Sequence, residues 1–419
     1  MNNADSKHRY APSMKRRVLS LIIQPLDTLF FRDGRPFDPT DRGRSGLPTP
    51  QTLAGMVKTR LMKLNGIKGE VLHGLRDNKE HKFHWISRIS IQGPWLADTK
   101  PENDEGNEEI REMFFPAPAN LYRFKKNKET ILKLLHPLSE EIPIPGWNRP
   151  LEDYARMRPL LYLGNELNIE PANGYLTLAG LKSVLQGKPP STEQWIPQEK
   201  IETLLYAFDN RTGNSIDPET YATKKGQIYS ASHLSLPFRM GFYMEIGWEV
   251  DDSSLKDEII KQAFPKSGVT LSFGGESRRV LVKSIDNHIQ WDSLLQDSEL
   301  SEDGFTTHLI SPVIFYAKSG TDRKIWQPPQ IADLISAAVP KPLAISGWNL
   351  TGTENSNYKE HPKPTRSGVP AGAVYFWKHG KNAPEDRTDL PFLCQLAERP
   401  IERAAGWGIA LKGVWKYDE

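Results

Sequence analysis

The 419-residue sequence predicts an α+β fold of two ferredoxin-like domains. Three observations predict it. Apolar strand-like runs and helical stripes follow one order in both halves: strand, helix, strand, then strand, helix, Gly-rich turn, strand. Gly and Pro are frequent, 31 and 33 residues, as many turns and long connections require. The chain is also longer than one small core, so two domains are expected. Residues 1–17 read as an N-terminal extension. The first domain covers 18–295, with a large insertion at about 98–205 and a projecting, thumb-like β-hairpin at about 208–240. The second covers 296–419.

The elements follow in order. "VLSLIIQ" (Val18–Gln24) is a buried strand. Thr49-Pro50 starts a helix, with Thr as N-cap and Pro at the first helical position. Leu53, Val57, Leu61 and Leu64 give it one apolar stripe, with Lys58 and Lys63 off that stripe. "HWISRISIQGPWL" (His84–Leu96) is the second strand. The insertion holds an acidic stretch, Asp98–Glu109, and a helix at Thr177–Leu185. Phe208–Val250 alternates polar and apolar residues, with turn signals at Thr212-Gly213 and Lys225-Gly226. It predicts the long hairpin and a following strand, Gly241–Val250. A helix at Ser254–Phe264 and a Gly-containing loop with strand, Val269–Ile285, complete the first half. In the second half "TTHLISPVIFYAK" is a strand and "IADLISAAV" a short helix. "KPLAISGWNL" and "AGAVYFWKHG" are strands, "LPFLCQLAER" is a helix, and "AAGWGIALKGVWKY" is a Gly-rich loop with a strand.

Composition narrows function. Net charge is only +2, but residues 1–64 carry 12 Lys+Arg against 5 Asp+Glu, +7, which leaves −5 for the rest. Such an asymmetry suits a polyanion. The single cysteine, Cys394, rules out a disulfide framework and a cysteine-based zinc site, and fits a reducing cytoplasm. The early apolar run Val18–Ile23 is too short to span a bilayer.

No metal-ligand spacing, phosphate-loop motif or nucleophile elbow is present, so no cofactor, metal or catalytic residue is assigned. Asp27, Asp33 and Asp38 form a possible carboxylate set. Asp33-Gly34, however, is a turn dipeptide, and its carboxylate can pair with Arg32 or Arg35. His233 lies in a polar stretch and reads as a surface residue. What remains is glycines beside cations. The strand-to-helix stretch Leu26–Leu61 holds Arg32, Gly34, Arg35, Arg42, Arg44 and Arg60. "FGGESRRV" offers Gly274, Gly275, Arg278 and Arg279. "ERAAGWGIALKG" offers Arg403, Gly406, Trp407 and Gly408. Glycine lets a backbone approach a phosphate, arginine adds a planar fork, and an aromatic adds a stacking face. The hairpin adds Arg211, Lys224, Lys225 and Tyr229. Each loop also has a purely structural reading, as a turn or a site of tight packing.

"PLDTLFFRDGRPF", "PTPQTLAGMVKTRL", "RTGNSID", "GQIYSASHL", "FGGESRRV", "VPAGAVYFWK" and "RAAGWGIALKGVW", in this order, resemble the RAMP superfamily of CRISPR proteins. Within it they are most similar to the third subunit of the Cmr (type III-B) effector complex. The resemblance implies a non-catalytic subunit that binds the 5′ tag of CRISPR RNA in antiviral defence. It implies docking on the large polymerase-like subunit and the first backbone subunit, with target RNA met only indirectly. Carried over, the strand-to-helix loop contacts the tag, and Lys58 and Arg60 reach its backbone. Arg211–Arg239 is the thumb, and Phe273–Arg279 and Ala404–Gly408 are the Gly-rich loops. The alternative is a RAMP-type endoribonuclease that processes precursor guide RNA. Neither Gly-rich loop contains the histidine that such an enzyme usually needs.

Overall fold

Three consecutive residues of the first strand, Leu21, Ile22 and Ile23, are fully buried. An apolar run without alternation needs cover on both faces, and a central strand provides it. The structure is a computed structural model. It describes residues 16–31, 46–67, 75, 78–100, 109–139, 157–166, 168–249, 255–286, 288–294, 304–316, 323–349, 361–378 and 393–417.

The first half runs β1 (Arg16–Pro25), α1 (Pro50–Leu64), α2 (Trp85–Arg88), β2 (Ser90–Lys100), β3 (Glu109–Pro116), β4 (Leu121–Lys126) and β5 (Glu129–Leu134). It continues with β6 (Glu170–Pro171), β7 (Gly174–Thr177), α3 (Leu178–Leu185), β8 (Trp195–Pro197), α4 (Ile201–Leu204), β9 (Ala207–Ile216) and β10 (Thr223–Ser235). It ends with β11 (Met240–Glu249), α5 (Leu255–Ala263), β12 (Val269–Ser272) and β13 (Arg279–Ile285). The second half holds β14 (Gly304–Leu309), β15 (Asp333–Ala338), β16 (Leu343–Ile345), β17 (Trp348–Asn349) and β18 (His361–Pro362). After them come β19 (Arg366–Gly368), β20 (Val374–Lys378), β21 (Leu393–Gln395), α6 (Pro400–Ala404) and β22 (Ile409–Val414).

The chain is α+β, with mainly antiparallel sheets. The larger sheet has the order β12-β13-β1-β11-β2-β3-β7-β8, and a second has the order β15-β20-β14-β22-β21. β1 pairs antiparallel with β11 and β13. β9 and β10 form a separate two-stranded hairpin, whose β9 side chains are largely exposed. α1 begins where expected: Thr49 Oγ1 accepts from the Thr52 N–H at 3.4 Å, and Pro50 opens the helix. α3 is likewise capped by Thr177. The two halves share core. Trp95, Tyr243 and Leu181 of the first pack with Ile310, Ile409 and Leu411 of the second.

Several elements differ from the sequence reading. Ile86 and Ile89 are drawn into the core beside α1, so a turn of helix, α2, precedes β2. The hairpin turns at Asp217–Ala222 rather than at either predicted dipeptide. Asp217 Oδ1 accepts from the N–H groups of Glu219 and Thr220, an Asx turn reinforced by Pro218. Thr212 and Gly213 lie inside β9, opposite Ser230 and Tyr229. "IADLISAAV" is a strand. β15 pairs along β20, and this pairing overrides the helix propensity of Ala and Leu. "KPLAISGWNL" breaks at Ser346-Gly347 into β16 and β17, each in its own ribbon. "LPFLCQLAER" forms β21 at a sheet edge, and the helix starts only at Pro400, where Pro suits the first turn. The stretch read as an insertion contributes to two sheets. β3, β7 and β8 extend the larger sheet, while β4, β5 and β6 make a small sheet beside it. Most of the acidic stretch, residues 101–108, lies outside the described residues.

Candidate nucleic-acid interface

A cleft of about 1140 Å³ opens beside the N-terminal half of α1. One wall is the α1 face carrying Thr52, Met56, Thr59 and Lys63, spaced at three or four residues. The opposite wall is β12 and the loop that follows it, with Gly274, Gly275 and Arg279. Its far side comes from the second half, at Pro312, Ile345 and Trp407. Phe31 and Gly46 also line it. The Gly46 N–H donates to Phe31 O at 3.0 Å, so Phe31 and Gly46, which flank the stretch 32–45 in sequence, meet at the cleft's edge. Arg32, Gly34, Arg35, Arg42 and Arg44, with Asp33 and Asp38, lie in that stretch, outside the described residues.

Among the described residues the lining holds Arg60, Lys63 and Arg279 and no carboxylate. Arg279 is exposed. Arg60 Nε donates to Ala263 O at 3.2 Å, which braces the side chain across to α5. Cations without counter-charges in a cleft with apolar walls concentrate positive potential there. Phe30, half-buried on the wall, adds an aromatic face. Neither Lys63 nor Phe30 was selected from sequence. Helical spacing, once Thr52, Met56 and Thr59 are taken as a face, points to Lys63. Nothing local distinguishes Phe30.

The glycines have specific structural work. Gly274 has φ +87°, and a Cβ there would lie 2.5 Å from Phe30 O. The Gly275 N–H donates to Phe30 O at 2.8 Å. Gly406 has φ +92°, and its Cβ would lie 2.6 Å from Ile91 O. Gly408 has φ +70°, and its Cβ would lie 2.5 Å from Ala397 N. The two loops therefore join the cleft by packing tightly under it.

Other selected residues are placed differently. Arg278 is tied to Asp27 Oδ2 at 2.9 Å and to Glu276 Oε2 at 3.3 Å. Asp27 thus takes the ion-pair role read for the early aspartates. Arg403 donates to Ala397 O and Glu398 O at 3.0 and 2.8 Å, a brace rather than a free cation. Trp407 is 3% exposed and forms cleft floor, not an open stacking platform. Arg211 pairs with Asp209 on β9 at 2.8 Å, and Arg239 lies 3.8 Å from Asp98; neither lines the cleft. Lys224, Lys225 and Tyr229 are residues of β10, with side chains outside the description. His233 is not a surface residue. It is 3% exposed, with Nε2 2.8 Å from Glu276 Oε2, so the fold sets a histidine under the first Gly-rich loop although none lies within it.

Lys58 is also corrected: it is 3% exposed. Its Nζ donates to Ser87 O at 3.2 Å, and burial pushes its ammonium down from 10.5 to about 8. A lysine lowered in the folded state costs stability in full below about 8. That cost fades as pH rises to the unfolded value of 10.5. Lys58→Met is therefore expected to raise stability at neutral pH by about 1–2 kcal/mol. Urea denaturation should show this gain vanishing in strongly alkaline buffer. RNA affinity should not change, and a loss would return Lys58 to the binding surface.

Among the described residues no group of three or more His, Cys, Asp or Glu is placed to hold a metal. Among them, too, no helix is long and apolar enough to cross a membrane.

Comparison with known proteins follows this geometry. A chain from a type III-B Cmr-beta complex bound to cognate target RNA is similar in structure. It is 16% identical, with a TM-score of 0.44, over 91% of this chain and 99% of that one. A chain from Cmr-beta bound to cognate target RNA and AMPPnP is 18% identical, with a TM-score of 0.43, over 85% and 86%. One from a Csm3-Csm4 subcomplex of the type III-A CRISPR-Cas interference complex is 12% identical, with a TM-score of 0.37, over 87% and 95%. No curated protein matches. The model of the family described as CRISPR-associated protein (Cas_Cmr3) matches residues 21–415. The match runs from within β1 to just beyond β22 and takes in both walls of the cleft, and the chain belongs to the CRISPR-associated protein (Cas_Cmr3) family.

Proposed function

We propose that the chain is a non-catalytic subunit of a type III-B CRISPR effector complex, and that its cleft holds the 5′ tag of CRISPR RNA. The carrying observation is the cleft itself: Arg60, Lys63 and Arg279 line it with no described carboxylate among them. Single-stranded RNA is held by such grooves, with phosphates on the cations and bases on apolar and aromatic faces. In this reading Arg32, Arg35, Arg42 and Arg44, between β1 and α1 in the sequence, add to the contact with the tag. In this reading the chain docks on the large polymerase-like subunit and the first backbone subunit, and β9–β10 is the thumb.

Each half forms a ferredoxin-like unit in this proposal. Strand order supports it. In the first half β13-β1-β11-β2 places the fourth, first, third and second strands side by side, and β22-β14-β20-β15 does so in the second. Among the described residues the second half keeps this order with a five-residue helix, α6, before its last strand.

The test is binding of tagged guide RNA by fluorescence anisotropy across a salt series. Lys63→Glu with Arg279→Glu is expected to weaken binding at least about tenfold and to flatten the salt slope by about 1.4. Arg42→Ala with Arg44→Ala should weaken it as well. Unchanged affinity in the first variant would remove the cleft as the RNA site. For the nuclease alternative, the position of His233 beneath the Gly-rich loop is the one favourable feature, and its burial is against it. Incubation with precursor guide RNA without metal should give no specific products; discrete cleavage would favour the enzyme.

A further inference from the structure

Beyond the cleft, a second cluster of cations is built on one aromatic ring. The guanidinium carbon of Arg399 lies 3.8 Å from the centroid of the Tyr316 ring, and that of Arg366 lies 5.0 Å from it. The ring is pinned. Its hydroxyl donates to Glu402, and the Tyr316 N–H donates to Glu398 Oε1 at 2.9 Å. Glu398 is matched by Arg323, whose Nη2 lies 2.5 Å from the same oxygen. Burial raises the Glu402 carboxyl while the Tyr316 hydroxyl, Arg399 and Arg366 lower it, so Glu402 is a partial counter-charge shared by the two exposed arginines.

A guanidinium stacked on a ring keeps its N–H donors in its own plane, directed away from the stack. Among the described residues neither the Arg366 nor the Arg399 guanidinium makes a hydrogen bond or a salt bridge. Both guanidinium groups are exposed and lie over one ring, which leaves N–H donors for bidentate capture of an oxyanion. A base has less to gain there, because the π-surface of Tyr316 is already engaged by the cations. Position links the cluster to the cleft. Arg366 pairs across the β16–β19 ribbon with Ile345, which lines the cleft. Tyr316 lies four residues beyond the cleft-lining Pro312.

We propose that Arg366 and Arg399, held on Tyr316, form a phosphate clamp for single-stranded RNA running out of the cleft. The inference rests on the cleft being the RNA site, and the experiment separates the two. Full-length protein is titrated with single-stranded guide RNAs shortened nucleotide by nucleotide. Three proteins are compared: wild type, Arg366→Gln with Arg399→Gln, and Lys63→Glu with Arg279→Glu. The clamp variant should bind the shortest RNAs like wild type, which also reports that it is folded. It should lose at least about fivefold affinity on RNAs long enough to leave the cleft, with a salt slope flatter by about 1.4. The cleft variant should lose affinity at every length. If the clamp variant matches wild type at all lengths while the cleft variant weakens, the clamp is wrong and the cleft stands; the arginines then serve another partner, such as an acidic protein segment. If the cleft variant binds normally, or wild type binds no RNA at any length, the cleft reading and the clamp fall together.

Discussion

Gly406→Ala is expected to lower stability by about 3–4 kcal/mol. Gly406 combines a left-handed φ of +92° with a Cβ position 2.6 Å from Ile91 O and 3.4 Å from its carbonyl carbon. Ile91 is backbone-paired within β2, opposite Ile246 of β11, so this neighbour cannot swing aside as a side chain would. Left-handed strain alone costs about 1–2 kcal/mol, and the backbone clash adds to it. The Gly406 carbonyl also accepts from Ser311 Oγ at 2.8 Å, and a shifted loop gives up that bond. Gly275→Ala is the contrast. No positive φ is required there, and its nearest obstacle is Phe30 Cδ1 at 2.9 Å, part of a side chain that can rotate. It should cost less than about 1.5 kcal/mol. Guanidinium denaturation of both variants gives the comparison. If Gly406→Ala keeps wild-type stability and loses only RNA affinity, the glycine serves a ligand rather than the joint between the halves.

That comparison bears on what the sequence could disclose. Gly274 and Gly406 were legible as positions where a backbone comes close to something; what comes close is the protein's own Phe30 and Ile91. Residue type carries the steric demand, but the partner is decided by pairing more than a hundred residues away. The same distinction separates Arg279 from Arg278, which are neighbours in one motif. One faces the cleft, and the other is consumed by Asp27, 251 positions distant along the chain. Helix α1 and its Thr49-Pro50 start were readable because caps and stripes are local signals. β15 was not, because Ala and Leu favour helix until a neighbouring strand is present. Lys58 shows the limit of binary patterning. Its position flanks the apolar stripe, yet α2 folds over it, and α2 itself was hidden within an apparent strand.

Glu245→Ala should destabilise by about 3–4 kcal/mol, because two buried donors depend on one buried carboxylate. Glu245 is 4% exposed. Tyr243 Oη donates to its Oε1 at 2.6 Å, and Trp291 Nε1 lies 3.2 Å from both oxygens. Tyr243 Oη is in turn 3.0 Å from Ser20 Oγ and accepts from the Ile289 N–H at 3.3 Å. The network fastens residues 288–294, the start of the passage between the halves, to the centre of the larger sheet. Around it Trp95 packs on Trp291 with centroids 5.0 Å apart, and Trp95 Nε1 donates to Ile310 O at 2.9 Å. Truncation leaves the Trp291 N–H buried without an acceptor, leaves the Tyr243 hydroxyl only Ser20 Oγ to donate to, and also opens a cavity. Glu245→Gln keeps an acceptor and most of the volume and should cost much less. Its pH dependence gives a sharper test. Burial raises the Glu245 carboxyl above its ordinary 4.5. A raised folded value means that stability is fully present below 4.5 and is lost as pH rises through the folded value. Glu245→Gln has no such titration. Its deficit relative to wild type should therefore be largest in acid and shrink towards neutral pH. A deficit that grows with pH would mean that the ionised carboxylate is stabilised by its donors more than burial opposes it.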